Sequence, residues 1–255
     1  MRIRLLVSLL CLAMGSPLSV FALYNGCPSL PEMPTDNLFL KVDSPFSLKV
    51  DYEGDYLLSR NLKEENSFSS PQIRSMFNGA EVSFGFVDRV ELYTLLGASK
   101  ATISGYKEDD YLKIKTKGSF GGEIGARVIA IFWGELKLGF DAKYFYGWPR
   151  LGSLTVNGKD VGDSYSQSME NEWQVGVGLS QKFALFMPYA GVTYSRFTLN
   201  FMGLAGPTNE VILENESPFG FFIGMGIAGK KGPFFNFEAR FIDEYAFSGS
   251  LGLRF

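Results

Sequence analysis

The ionisable side chains of this sequence fall at every second position along several stretches. Lys49, Asp51, Glu53 and Asp55 alternate with apolar neighbours. So do Glu81, then Glu135, Lys137, Asp141 and Lys143, then Glu172 and Lys182, then Glu238 and Arg240, and finally Arg254. A period of two places all these groups on one face of extended chain. Both signs are interleaved along each stretch. Facing a water-filled passage, such side chains would line it and set an ion preference. In a narrow enclosure they would pair across the interior and fill it.

Little else in the chain offers chemistry. There is no histidine, which removes the commonest general base and both the Ser-His and Cys-His pairs. It also removes the commonest metal ligand. The run "GMGIAG", with Gly224, Gly226 and Gly229, matches a dinucleotide-binding fingerprint by letter. That motif needs a strand before it and a helix after it, and here it lies inside a strand pattern. Its glycines read as inward positions that leave room in a narrow lumen. "KEDD" at Lys107–Asp110 and "KDVGD" at Lys159–Asp163 read as solvated loop tips, and "NES" at Asn215 as plain loop. No catalytic residue, metal site or cofactor is expected. A net charge of -3 gives no reason to expect nucleic acid as a partner.

The elements that would position the charges are strands. Phe46, Leu48, Val50, Tyr52, Gly54, Tyr56 and Leu58 oppose Ser47, Lys49, Asp51, Glu53, Asp55 and Ser59 over about thirteen residues. That length suits a tilted membrane strand. The pattern recurs at 80–87, 135–146, 172–182, 234–241 and 245–255, with weaker versions at 90–98, 118–131, 188–199 and 219–228. Ten strands result, or twelve if the weak segments 101–106 and 111–117 add a hairpin. Short links near Asp88, 132–134, 183–187 and 229–233 take turns with long ones at 60–75, 99–117, 147–170 and 200–217. Short and long loops in alternation are the mark of outer-membrane barrels. The expected fold is therefore all-β: a transmembrane antiparallel β-barrel with both termini periplasmic. Its apolar face would look into lipid, and closure would pair every backbone group there. A soluble sandwich or lipocalin-like barrel shares the period, but not the strand length or the loop asymmetry.

The ends carry their own signals. Arg2 and Arg4 precede the apolar run Leu5–Met14, and "SVFA" supplies small residues. This reads as a secretory signal over residues 1–22. Residues 23–45 read as an extended lead-in and 46–255 as the barrel. Cys27 would be the one cysteine left after cleavage, so an internal disulfide is ruled out. It is either a free thiol in a mobile segment or an intermolecular disulfide. At the other end Phe255, with Leu253 and Leu251, reads as the C-terminal signal by which barrel-assembly machinery would take up the chain.

Five segments carry a family resemblance. "VDYEGDYLLSRNLK" (Val50–Lys63), "LYTLLGAS" (Leu92–Ser99), "GARVIAIFWGELKLG" (Gly125–Gly139), "EWQVGVGLSQKFALFMPYAGVTYSRF" (Glu172–Phe197) and "EARFIDEYAFSGSLGLRF" (Glu238–Phe255) resemble the chlamydial major outer membrane protein family of porins. They occur in family order through most of the chain. The resemblance implies a surface-exposed bacterial outer-membrane barrel, in contact with outer-membrane lipid, that passes ions and small polar solutes and assembles as a homo-oligomer, a trimer. This chain is shorter than the family's usual members and lacks their many cysteines. The leading expectation is a porin whose pore is lined by Lys49, Asp51, Glu53, Glu135, Lys137, Asp141, Lys143, Glu172, Lys182, Glu238, Arg240 and Arg254. The alternative is a closed structural or surface-interaction barrel, an adhesin or antigen, with no open pore. An enzyme is not expected.

Overall fold

The computed structural model describes residues 23–32, 45–63, 68–107, 109–161, 168–202, 210–228 and 233–255. The expected signal segment, 1–22, lies outside them. Alternating sequence becomes strand throughout: β1 (Phe46–Asn61), β2 (Phe68–Phe86), β3 (Val90–Lys107), β4 (Asp110–Lys117), β5 (Ser119–Trp133), β6 (Leu136–Gly147), β7 (Arg150–Val156), β8 (Lys159–Asp160), β9 (Ser168–Gln181), β10 (Phe186–Met202), β11 (Glu210–Glu214), β12 (Phe219–Ala228), β13 (Pro233–Phe241) and β14 (Glu244–Arg254). Ten of them close a ring in the order β1, β2, β3, β5, β6, β9, β10, β12, β13, β14. The seam between β14 and β1 runs from Lys49 opposite Arg254 to Arg60 opposite Glu244. Every neighbour is antiparallel, so the ten-strand barrel has no edge to leave unpaired in lipid.

The parity of the strands comes out as read. On β1, Ser47, Lys49, Asp51, Glu53 and Asp55 are buried, while Phe46, Val50, Tyr56 and Leu58 are exposed. Around the ring the outer wall carries Phe84, Leu96, Ile124, Phe140, Val175, Val192, Ile223 and Phe237, the last 64% exposed. Water would not tolerate so continuous an apolar wall on a monomer. A bilayer does, and the closed, outwardly apolar barrel is that of a bacterial outer-membrane protein.

Two departures from the expected layout matter. A bulge between Leu57 and Ser59 shifts the register of β1 against both neighbours. It turns Arg60 inward, where strict alternation would have placed Ser59. The expected long loops are also largely strand. β2 starts at Phe68, β3 runs to Lys107, and β4 pairs with both β3 and β7. β8 returns on β7 through Asn157 and Gly158, both left-handed as such a hairpin requires, and β11 pairs with the end of β10. Segments 101–106 and 111–117 do form a hairpin, but it stands beyond the barrel and adds no strand to the ring. The short turns at Val87–Arg89, Gly134–Glu135 and Lys182–Leu185 share the opposite end with the start of β1 and with Phe255, whose N–H donates to the Leu48 carbonyl at 2.8 Å.

Orientation of the zigzag can be tested at Ile124, on the outer wall and 63% exposed. Ile124→Lys should cost about 2–4 kcal/mol if it lies near the bilayer midplane, read by urea unfolding of the protein in lipid vesicles. A cost below about 0.5 kcal/mol, ordinary for a watery surface, would put this face in solvent.

Candidate functional site

Inward charges cannot be left unpaired once enclosed, because removing a charge from water without a partner is prohibitive. Three arginines meet this demand. Arg127 on β5 donates to Glu81 at 2.8 and 3.0 Å and to Glu91 at 2.9 Å, with its Nε 3.3 Å from Asp141. Its guanidinium lies 3.9 Å from the centre of the Tyr93 ring, and the Tyr93 hydroxyl donates to Asp141 at 3.0 Å. Arg240 on β13 grips Asp55 with Nη2, at 2.7 and 2.8 Å to its two oxygens, and reaches Glu238 and Ser248 with Nη1. Arg60 makes a two-pronged pair with Glu172 at 2.9 Å for each bond and also meets Glu244. Planar guanidinium forks of this kind give the strongest carboxylate pairs.

The Arg60–Glu172 pair has a geometric meaning. Arg60 is on β1 and Glu172 on β9, five strands away in either direction around the ring. Two side chains from diametrically opposite walls therefore touch in the middle of the lumen. A passage for solute at this level would have to run to one side of that bond.

Toward the short turns, at the level of Arg127 and Glu238, the lumen holds a part of the chain itself. Residues 23–32, expected as an extended lead-in, are folded inside the barrel, with Leu23, Tyr24, Asn25, Cys27 and Leu30 all buried. Glu238 accepts the backbone N–H groups of Asn25 at 3.0 Å and Gly26 at 3.1 Å. On the far wall Gln174 donates to the Asn25 side chain at 2.5 Å, and Ser29 and Ser180 hydroxyls lie 2.6 Å apart. Lys143 donates to the Tyr24 carbonyl, Lys49 to the Leu30 carbonyl and to Glu91, and Lys137 pairs with Glu32. Small inward residues make the room: a Cβ on Gly139 or Gly178 would come 2.9 Å from Pro28, and one on Gly176 would come 2.8 Å from Asn25. The space left between plug and wall, beside Cys27, Arg127 and Asp141, is about 20 Å³, room for about one water.

Above the charge layer the lumen is closed by carbon. Leu57, Ile73, Ile103, Ile114, Phe197 and Phe201 form a dry cluster where the strands run past the barrel proper, with Ile103 and Phe201 at 0% exposure. On the surface beside it, Glu214 takes hydrogen bonds from Lys63 at 2.8 Å and Arg196 at 3.0 Å, which hold its carboxyl below the ordinary range.

Of the expected pore-lining residues, Lys49, Asp51, Glu53, Lys137, Asp141, Lys143, Glu172, Glu238, Arg240 and Arg254 do point inward and are buried. Lys49, Lys137, Asp141, Lys143, Glu172, Glu238 and Arg240 bond to protein partners or to the plug, and Arg254 lies over the Phe234 ring, while Asp51 Oδ1 is without a hydrogen-bond partner. Two were misplaced: Glu135 is exposed in the β5–β6 turn, and Lys182 sits half-exposed at the rim, 3.7 Å from Glu32. Pairing one residue further along each strand end put them on the inward parity, but the turn takes over there. Cys27 is a free thiol at 1% exposure, packed with Leu30, Met187 and Phe222 inside the barrel and not in an extended lead-in. The clamp residues Arg60 and Arg127 were missed, the first because of the bulge and the second because β5 alternates weakly. Among the described residues no group of acidic, Cys or His side chains is arranged to hold a metal.

The sequence matches no family model and no curated protein. Among solved structures, the outer membrane protease OmpT from Escherichia coli is similar at 9% identity and a TM-score of 0.44, over 83% of this chain and 97% of that one. The outer membrane protein OprG from Pseudomonas aeruginosa follows at 8% identity and a TM-score of 0.41, over 82% and 95%. The translocator domain of the autotransporter NalP from Neisseria meningitidis has 12% identity and a TM-score of 0.40, over 83% and 88%.

Two expectations follow from the packing. Arg240→Met strips Asp55 and Glu238 of their shared cation and should destabilise the barrel by about 3–5 kcal/mol, measured by denaturant titration in micelles. Cys27 of the folded protein should resist maleimide until the barrel unfolds, whereas Gly178→Leu, which collides with Pro28, should make it react in the folded state. Prompt labelling of the unaltered folded protein would mean the plug is not seated.

Proposed function

We propose that this protein is a closed, non-conducting outer-membrane barrel with a structural and surface-presenting role, rather than a diffusion porin. The observation that carries this reading is the Arg60–Glu172 bond across the full width of the lumen. The plug on one side and the apolar cap on the other support it. Opening a path would require breaking the arginine pairs, unseating the plug and parting the apolar cap. The resemblance of five segments to chlamydial porins supports the placement in the outer membrane. Solute passage does not carry over, because a passage needs inward charges that face water.

The β-structure beyond the membrane gives the barrel a rigid outer surface. Strands β3, β4, β7 and β8 form one extension, and β10 and β11 form another. Rigid surfaces of this kind suit contact with other molecules at low ordering cost.

Planar bilayer recording on the full folded chain is the test. No stepwise conductance is expected in concentrated potassium chloride. Steps of reproducible size from protein whose Cys27 stays protected would overturn the closed reading.

A further inference from the structure

The outer face of the larger extension is strongly basic. On β2, β3, β4 and β7 the inward positions Ile73, Ala101, Ile103 and Ile114 pack into the apolar cap. The outward positions beside them are Arg74 on β2, Lys100 on β3, Lys113, Lys115 and Lys117 on β4, and Arg150 on β7. Register groups them: Arg74 and Lys115 both lie opposite Thr102, and Lys117 lies directly opposite Arg150. Like charges set opposite one another on a sheet repel. In these four strand ends and β8 the acids are Asp110, which is at the hairpin tip and accepts from Asn157 at 2.6 Å, and Asp160, which lies opposite Thr155 as Lys113 does. Among the described residues, the ion pairs include none from Arg74, Lys100, Lys113, Lys115 or Arg150. The other basic surface near this end, Lys63 and Arg196, shares the carboxylate of Glu214.

Height on the barrel says what this face meets. Phe120 and Trp148 are exposed on the outer wall at one level, joined by a hydrogen bond from the Trp148 N–H to the Phe120 carbonyl, and Phe120 lies opposite Ala98. Exposed aromatics at the end of an apolar belt mark the interface between hydrocarbon and headgroup. Lys100 is two residues beyond Ala98, about 7 Å further out. The whole patch, from Lys100 to the Ser104–Lys113 row, spans about 13 Å along the strands. Its lowest row, at Lys100, therefore stands at headgroup depth on a wall that is lipid-facing just below, and the rows of Lys115 and Lys113 rise past it.

We propose that this patch binds the phosphate groups of anionic lipids in the leaflet around the long-loop end of the barrel. Acyl chains would lie on Leu96, Phe120 and Ile124, and the phosphates would sit among Lys100, Lys115 and Arg150, relieving the repulsion between the cations. The proposal rests on the membrane placement and not on closure of the lumen, so a conducting barrel would leave it intact.

The test uses the full folded chain in micelles, offered equal amounts of phosphatidylglycerol and phosphatidylcholine with identical acyl chains, with retained lipid counted by native mass spectrometry. The unaltered protein should favour phosphatidylglycerol about tenfold or more, since each basic residue near an anionic surface contributes substantially to attraction. The triple variant K100Q/K115Q/R150Q should bring the ratio to within about twofold of unity, while K63Q/R196Q should leave it unchanged. Both variants must keep the heat-modifiable gel mobility of the folded barrel. If the triple variant does not fold, raising salt from about 0.05 M to about 0.5 M on the unaltered protein should collapse the preference. Equal retention of the two lipids, or a preference that survives the triple variant, would overturn the proposal. So would abolition of the preference by inorganic phosphate at concentrations that leave ionic strength unchanged, which would assign the patch to soluble anions.

Discussion

Charge burial governs this molecule. Ten strands turn their polar face inward, and the ring they close is too narrow for that face to be hydrated. Every carboxylate and ammonium there must therefore find a protein partner or stay neutral. Arg60, Arg127 and Arg240 satisfy that requirement with forked bonds to acids on other strands. Because the partners lie across the ring as well as beside it, the pairs also fix the cross-section of the barrel. Lysines would not serve as well: a guanidinium presents five donors in one plane, so a single Arg127 can join acids from β2, β3 and β6.

The plug follows from the same constraint. At the short-turn end β6 and β9 carry small inward residues, Gly139, Gly176 and Gly178, which leave room beside the long Lys49, Lys137 and Arg254. Long arginines cannot span that volume, and a void of that size would forfeit packing. Residues 23–32 fill it with backbone, and their amide groups find acceptors in Glu238 while Lys49 and Lys143 cover their carbonyls. At the opposite end the strands leave the bilayer, and an all-polar interior is no longer needed to keep an apolar exterior. The pattern inverts into an ordinary hydrophobic core of Ile73, Ile103, Phe197 and Phe201 with basic residues outside. One sheet thus obeys two solvents along its length.

Much of this was legible from alternation. The parity of β1, β6, β9, β13 and β14, the ring of ten and the outward belt follow from period-two patterning, since a strand offers only two faces. What failed did so for identifiable reasons. The β1 bulge carries no sequence mark at Leu58 and Ser59, yet it decides whether Arg60 enters the lumen. The tails of β2 and β3 were read as loop because their outward residues are Arg, Lys, Thr and Ser, which in a membrane-spanning frame look like solvated turns. The Pro-rich stretch around Cys27 shows no period at all. Only the inward glycines of β6 and β9 hinted that something would occupy the space beside them, and they do not say what.

Strand number then explains why filling was the better expectation than flow. A ring of ten strands, spaced about 4.8 Å and tilted near 40°, is roughly 20 Å across between backbones. An extended arginine and glutamate together fall short of that width, so Arg60 and Glu172 meet because opposite walls come closer at their level. An open lumen of this width would need short inward residues along its whole length. Here short inward residues are interrupted by long ones, and beside Gly139, Gly176 and Gly178 the chain folds back on itself. Inward length, tier by tier, is therefore the quantity that separates a channel from a plugged barrel of the same strand number.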